Sequence, residues 1–545
     1  MVAQSAEFFQ ELTQRTTLIE ELLDIGIALS GTKSLGSLLN LILTKSREIT
    51  CSDAGSVYLV DKSDDQPKLL FKIAQNVSMP DLSFREFAIP LTPKSLAGYV
   101  ALTGDSLNIP DAYELSLEEP YQLDRSFDQD IHYRTRSVLV LPMQNHNGEI
   151  LGILQLINRK VQPEILLTPE NTLENTQPYT DWEERILRSL ASQAAVSIKR
   201  NQLQDDIEHL FESFVRASVQ AIEQRDPCTS GHSERVAALT VRLAQEVNTV
   251  PTGYLGSIEF DGRQFQEIRY AALLHDFGKI GVPEAILRKS KKLYPEQLEI
   301  IRHRFTLAQR TAEQDCLQTK YQLLQQHISQ HLQGTTVCPH CQQLEQLDAD
   351  LEATTTRLHY LWNLVLVANE PQVMAEEPLA ELAELAELTY QEVDGQRQPV
   401  IQLEEIEQLQ VHRGNLTPAE RFVMESHVIH TYQFLNQIPW TQDLRDVPAI
   451  AYGHHERLDG TGYPQGLKST NVPIQAQMMA IADVYDALTA GDRPYKHRIP
   501  TITALKILRQ EATTHKINPN LLELFEQRQV YQVIGHSLDV VMKLA

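Results

Sequence analysis

Two side-chain doublets constrain this chain more than any other feature. His275-Asp276 directly follows the apolar run Ala271-Ala272-Leu273-Leu274, and His454-His455 opens the stretch HHERLDGTGYPQGL. Polar doublets in apolar helices cost free energy to bury unless each finds a partner. A lone buried histidine is usually a hydrogen-bonded core residue. Here His232 in GHSERV, His427 in MESHVIHT and Asp483 in AIADVYDALT join the doublets. Imidazoles and carboxylates suit zinc, iron, manganese and similar ions, and such a set exceeds the needs of one ion. Adjacent side chains on a helix point about 100° apart. A doublet can therefore serve two ions, or its aspartate can bridge them.

The rest of the chain frames this set. Residues 17–48 carry helical periodicity, and Ala54–Val60, Arg136–Met143 and Glu149–Ile157 read as strands, the last two joined by an Asn147-Gly148 turn. An α+β sensor-sized domain is expected there. Asp181–Gln224 contains neither Gly nor Pro and reads as one long helix. Its stripe of Ile186, Leu190, Ala194, Ile198, Leu203, Ile207, Leu210 and Phe214 fits either packing on its own domains or a dimerising, signal-carrying role. From Asp226 onward, 232–245, 267–279 and 448–488 read as helices and strand signals are scarce, so an all-α unit is expected. Lys+Arg number 48 against 72 Asp+Glu, a formal charge of −24 that disfavours a nucleic-acid polymer as partner. Five cysteines in 545 residues make no disulfide framework. With no apolar leader segment and no membrane-length apolar run, the expectation is a cytoplasmic protein with no membrane partner.

The stretches SLAGYVALTGDSLNIPDAY, SVLVLPM and GEILGILQLINRK resemble a GAF domain, a small-molecule sensor. The Asn-Lys…Phe…Asp-Glu signature of cyclic-nucleotide-binding members is degraded to Asn158-Arg159…Tyr179…Glu183-Glu184, which favours a structural role for these residues and leaves the ligand unknown. No Cys lies between 52 and 227, which argues against a thioether-linked bilin. HDFGKIG (275–281), HHERLDGTGYP (454–464) and AIADVYDALTAGDRPYK (480–496) resemble the HD-GYP family of cyclic di-GMP phosphodiesterases, within the HD phosphohydrolases. That resemblance implies metal ligation by His232, His275, Asp276, His427, His454, His455 and Asp483, with Asp276 bridging two divalent ions, Fe or Mn. It implies that Lys279 holds a phosphate oxygen, and that Gly460, Gly462, Tyr463 and Arg493 line the nucleotide site. Asp276 and Lys279 would be the catalytic pair.

Two departures stand out. Where some members carry a third-metal Glu, this chain has Cys228. The pattern leading to the third histidine of the set occurs twice, as LYPEQLEIIRH ending at His303 and LTPAERFVMESH ending at His427, and spacing favours His427, with His430 the alternative register. The expected organisation is multidomain. An α+β GAF domain (17–200) and a connecting helix (201–225) precede an all-α HD-GYP domain in two parts (226–303 and 412–545), interrupted by a helical-hairpin insertion (304–411). At the tip of the insertion, His327, His331, Cys338 and Cys341 fit a structural zinc site, a Cys-Pro-x-Cys redox pair with Cys316, or no site.

Three functional readings follow. One is a GAF-regulated homodimeric phosphodiesterase that converts cyclic di-GMP to pGpG and then GMP. Another is a nucleotide-binding scaffold with negligible turnover. The third keeps the HD chemistry on another cyclic nucleotide.

Overall fold

The computed structural model describes residues 24–29, 31, 34–63, 66–82, 84–226, 231–331, 339–371, 381–392, 394–491 and 498–538, without the side chains of 327–331 and 339–341. The chain divides into two compact units, Met1–Glu212 and Ser213–Ala545.

In the first unit, α1 (Leu35–Thr50) starts where the Ser34 hydroxyl accepts from the Ser37 amide and ends at Cys51 in the left-handed region. An antiparallel sheet follows, built from β1 (Ser52–Asp61), β2 (Lys68–Asn76), β3 (Phe87–Pro90), β4 (Leu107–Ile109), β5 (Val138–Gln144) and β6 (Ile150–Lys160), in the order β3-β2-β1-β6-β5-β4. The short β7 (Thr176–Gln177) adds to β6. Period-2 alternation sorts the side chains between two faces. Val57, Leu59, Leu139, Leu141, Leu154 and Leu156 join one core with Leu38, Leu39 and Ile42 of α1. Val138, Val140 and Ile153 join a second core on the other face, with Leu96 and Val100 of α2 (Leu96–Thr103).

The long helix α3 runs unbroken from Asp181 to Arg225. It begins with a capping box in which Thr180 and Glu183 exchange side-chain and backbone hydrogen bonds. The stripe seen in the sequence divides in two. Leu187, Leu190, Ala191, Ala194 and Ile198 are buried in the first core, whereas Leu203, Ile207 and Leu210 are 49%, 65% and 73% exposed. Core packing therefore accounts for the first half of the stripe only.

Among its described residues, the second unit is helical apart from one small hairpin. It contains α4 (His232–Val247), α5 (Gly262–Leu274), α6 (Pro295–His331), α7 (Pro339–Ala368), α8 (Pro418–Glu425), α9 (His427–Leu435), α10 (Val447–Tyr452), α11 (Ile474–Thr489), α12 (Thr501–Thr513) and α13 (Pro519–Gln527). Helix α6 starts at Pro295 and runs through 303/304 without a break. Thr389–Gln391 forms a strand paired with Arg397–Pro399. Tyr390, Val400 and Ile401 pack with Ile301, Phe305, Leu361 and Val365 into a core of their own. At Tyr390 that tertiary burial overrides the helix preference of the Glu- and Leu-rich sequence before it. Among the described residues, no helix is long and apolar enough to cross a membrane.

Candidate metal centre

Helix ends position six of the seven sequence-identified side chains of the second unit, and the interior of one helix supplies the seventh. His232 is the first residue of α4, set there by Gly231 at φ 65°. His275 directly follows α5, His427 opens α9, and His454 and His455 come just after α10. Asp483 projects from within α11, and His232, His275, Asp276, His427 and His454 are almost completely buried.

The helix termini also fix the tautomers. The last carbonyls of a helix have no intrahelical partner. His275 Nδ1–H donates to the Ala272 carbonyl at 2.7 Å, His427 Nδ1–H to that of Met424 at 2.7 Å, and His454 Nδ1–H to that of Ala451 at 2.6 Å. A carbonyl can only accept, so in each ring Nδ1 carries a proton and Nε2 is the nitrogen left to meet a cation. All three Nε2 atoms are buried without a hydrogen-bond partner. Each such atom costs roughly 1–3 kcal/mol if left alone. Three of them beside two carboxylates form a donor set suited to a divalent cation.

The carboxylates tie this set into two groups. Potential ligand atoms of His232, His275 and Asp276 lie within 4.8 Å of one another, as do those of His427, His454 and His455. Asp276 faces both: Oδ2 is 3.4 Å from His275 Nε2 and 3.9 Å from His232 Nε2, and Oδ1 is 3.3 Å from His427 Nε2. Asp483 does the same, with Oδ1 3.2 Å from His232 Nε2 and Oδ2 3.9 Å from His455 Nδ1.

Charge states follow from these neighbours. Burial opposes ionisation of Asp276, but Lys279, His275 and His427 outweigh it and hold its pKa well below the usual carboxylate range. Asp483 is depressed in the same way, with His232 overcoming burial. Burial, reinforced by neighbouring imidazoles, pushes His454 well down and His455 down to about 3, so both rings are neutral and keep a lone pair. Burial works against a proton on His232, yet hydrogen bonds to Asp483 and Asp486 raise it to about 9.

Four supporting residues escaped the sequence reading. Asp486, fully buried, accepts His232 Nδ1–H at 2.8 Å and the Arg235 guanidinium at 2.6 and 3.0 Å, so it orients the ring as a carboxylate behind a metal-ligating histidine does. Its signal was spacing, since it lies one helical turn beyond Asp483. Thr431 Oγ1 donates to the His275 carbonyl and accepts from the Gly278 amide, pinning the His-Asp turn to α9. Glu456 accepts from the Gln465 and Leu467 amides and braces the loop after the histidine pair. We expect Asp486→Asn to weaken divalent-metal affinity by roughly 10–100-fold while leaving the helical circular dichroism unchanged; metal titration of the two proteins checks this.

The other sequence candidates fall as follows. Lys279 Nζ sits 2.7 Å from Asp276 Oδ2 and 3.4 Å from Asp226 Oδ2. In the loop, Gly460 has φ 83°, a β-carbon on Gly462 would overlap the Arg457 and Glu456 backbone, and the Tyr463 ring lies 4.7 Å from that of His455. His303 is exposed on α6, and His430 lies against Gly281 outside both ligand groups. The second copy of the duplicated pattern is the one that docks: Thr417 and Glu420 form a capping box at the start of α8, and Glu420 also binds Lys289 and the Tyr294 hydroxyl, each at 2.7 Å. Arg493, Cys228 and Cys338, and the side chains of His327, His331 and Cys341, lie outside the described residues. In the first unit, Asn158 bonds the Arg136 amide and the Arg134 carbonyl, Arg159 pairs with Glu183 at 2.7 Å, and Tyr179 hydrogen-bonds Ser52, so these residues have structural roles.

Comparison with known proteins agrees with this division. Residues 34–198 match the family model of the GAF domain, and 229–353 and 402–521 match two models of the HD domain. The chain is 34% identical over 131 residues to the 3′3′-cGAMP-specific phosphodiesterase 3 of Vibrio cholerae, covering 23% of this chain and 27% of the relative. It is 36% identical over 113 residues to a cyclic di-GMP phosphodiesterase of Thermotoga maritima, covering 21% and 30%. It is also 28% identical over 204 residues to the dual 3′,5′-cyclic-AMP and -GMP phosphodiesterase 11A of Takifugu rubripes, covering 36% and 20%. The chain thus spans well under half the length of these curated relatives. A GAF domain from an Acinetobacter phosphoenolpyruvate-protein phosphotransferase aligns at 16% identity and TM-score 0.27, covering 34% of this chain and 95% of that one. The chain carries a GAF domain and an HD domain.

Proposed function

We propose that the histidine–aspartate centre binds two divalent ions, iron or manganese, and hydrolyses a cyclic dinucleotide, with cyclic di-GMP the first candidate. The observation that carries this reading is the convergence of three buried, unpartnered Nε2 atoms with two carboxylates that each face both histidine groups. When bound, such a pair of cations supplies positive charge for a phosphodiester's oxygens and lowers the pKa of water. The protein's own residues do the rest. His275, His427 and His454 present Nε2 in fixed orientations, His232 would give up the proton it shares with Asp483 when a cation binds, and Asp276 and Asp483 stay ionised between the two groups. Lys279 keeps an ammonium beside them for a non-bridging phosphate oxygen. The Gly460–Tyr463 loop, braced by Glu456, forms the wall beside His455 for the base and ribose. Catalysis would yield linear pGpG and then GMP.

The relatives' names include both cyclic di-GMP and 3′3′-cGAMP phosphodiesterases, so 3′3′-cGAMP is the alternative substrate. The deciding experiment incubates purified protein, anaerobically loaded with Fe(II) or Mn(II), with each dinucleotide and follows the linear products by chromatography. Hydrolysis that a chelator stops supports the proposal. Binding without cleavage by metal-loaded protein would instead identify a nucleotide-binding scaffold.

The remaining parts of this reading are regulatory. The GAF domain takes a small ligand that sets the activity of the HD domain. The segment 304–411 is an insertion between two copies of the pattern that leads into the metal centre. Leu203, Ile207 and Leu210, exposed at the alternating four- and three-residue spacing of a coiled-coil seam, support a homodimer formed through α3, which sedimentation velocity would read directly. The free thiols Cys51 and Cys316 fit the reducing cytoplasm.

A further inference from the structure

The GAF domain holds a cavity of about 470 Å³ on the face of its sheet opposite α1. This lies within the roughly 300–1,000 Å³ range of small-molecule sites. Its floor is the alternation that α1 does not cover. Ser56 on β1 stands directly across from Gln155 on β6, with Tyr58 and Ile157 beside them. Ser56 is engaged with the Tyr58 side chain and Asn76 accepts from the Met79 amide, which leaves Gln155. Among the described residues, the Gln155 amide has no protein partner for either its carbonyl or its NH₂ group.

The wall is aromatic. Phe71 and Phe87 stack with ring centroids 4.7 Å apart, and Phe84 lies 5.9 Å from Phe71 and 6.2 Å from Phe127. Phe87 and Phe127 remain 52% and 50% exposed although both line the cavity. Aromatic faces left wet around a concave space are suited to a flat ring.

The electrostatics select its charge. No Lys, Arg or His is among the described lining residues, while Asp124 and Asp128 are. Asp128 is buried and accepts from the Thr135 amide, the Thr135 hydroxyl and the Tyr113 hydroxyl. At the bordering N-terminus of α2, the Gly98 amide is already taken by Ser95. A phosphate placed here would lose its water with no cation to replace it, at a cost of several kcal/mol.

We infer that this cavity binds an uncharged, flat aromatic heterocycle with an amide-like hydrogen-bonding edge, read by Gln155, and that it excludes cyclic nucleotides. The inference rests on the reading of the first domain as a small-molecule sensor. It holds whether or not the HD domain turns over.

Calorimetry on the full-length chain tests it with matched pairs: adenine against cyclic AMP and guanine against cyclic GMP, with 2-quinolinone and nicotinamide as further uncharged probes. The expected result is binding of at least one uncharged probe, weakened at least ~10-fold in Gln155→Leu as for a lost buried hydrogen bond. Neither cyclic nucleotide should bind. Phe87→Ala, a half-exposed position that folding tolerates, should weaken the same probe if Gln155→Leu proves unstable. A cyclic nucleotide that binds more tightly than its free base would overturn the inference and leave the sensor reading intact. Absence of binding by all six compounds would overturn the inference and remove support for the sensor reading as well.

Discussion

Asp276→Ala protein is expected to lose cyclic dinucleotide hydrolysis by at least ~1,000-fold and to lose bound metal at the same time. The size follows from what the side chain does. Asp276 faces both histidine groups through different oxygens, so its removal affects both at once. It also removes the nearest counter-charge of Lys279, now 2.7 Å away, and leaves it with Asp226 at 3.4 Å and the field of Asp483. Breaking a buried pair costs about 3–5 kcal/mol, and each 1.36 kcal/mol at the transition state is tenfold in rate. Asp276→Asn separates the parts of this effect, because it preserves volume but removes the negative charge and turns one acceptor oxygen into an NH₂ donor; it should retain the fold and still lose most turnover. Metal quantification alongside kcat is the measurement. Turnover within tenfold of the parent in verified Asp276→Ala protein would show that another carboxylate does the work.

A second large effect is expected from a residue with no functional group. Gly278 packs so closely against α9 that a β-carbon would overlap the His427 carbonyl oxygen and the Thr431 amide. Its own amide donates to Thr431 Oγ1 at 2.8 Å, and that hydroxyl bonds the His275 carbonyl at 2.9 Å. The contact therefore holds the His275-Asp276 turn at its correct distance from His427. Gly278→Ala must push these segments apart, and overpacking of this kind costs about 1–3 kcal/mol or more. The expected outcome is a lower unfolding midpoint by urea or heat, together with loss of metal from both groups. A variant of parental stability with a full metal complement would show that the helices can separate freely, and that the tight turn does not set the centre.

How far the sequence anticipates the structure depends on the range of the forces involved. The long helix was readable because 45 residues without Gly or Pro leave the backbone few alternatives. Strands β1, β5 and β6 were readable from β-branched and apolar runs, within a residue or two at most ends, whereas β2, β3, β4 and β7 were not. The residues proposed as ligands stood out as types in a pattern, but their spatial arrangement did not. It depends on orphan carbonyls at three separate helix ends accepting three Nδ1 protons. Asp486 and Arg235 were missed because their bond joins α4 to α11 across 251 positions of sequence. The hairpin at Thr389–Gln391 was missed because Glu- and Leu-rich sequence favours helix locally, and only burial of Tyr390 against α6 and α7 reverses that preference.

The central claim is that seven dispersed side chains hold two cations. Anomalous diffraction at the absorption edge of the loaded metal, from crystals of anaerobically prepared Mn(II) or Fe(II) protein, tests it most directly. The account expects two peaks per chain, one among His427, His454 and His455 and the other among His232, His275 and Asp276, with Asp276 and Asp483 reaching toward both. A map with no peak there, or with metal only near the cysteines at 338 and 341, would contradict it.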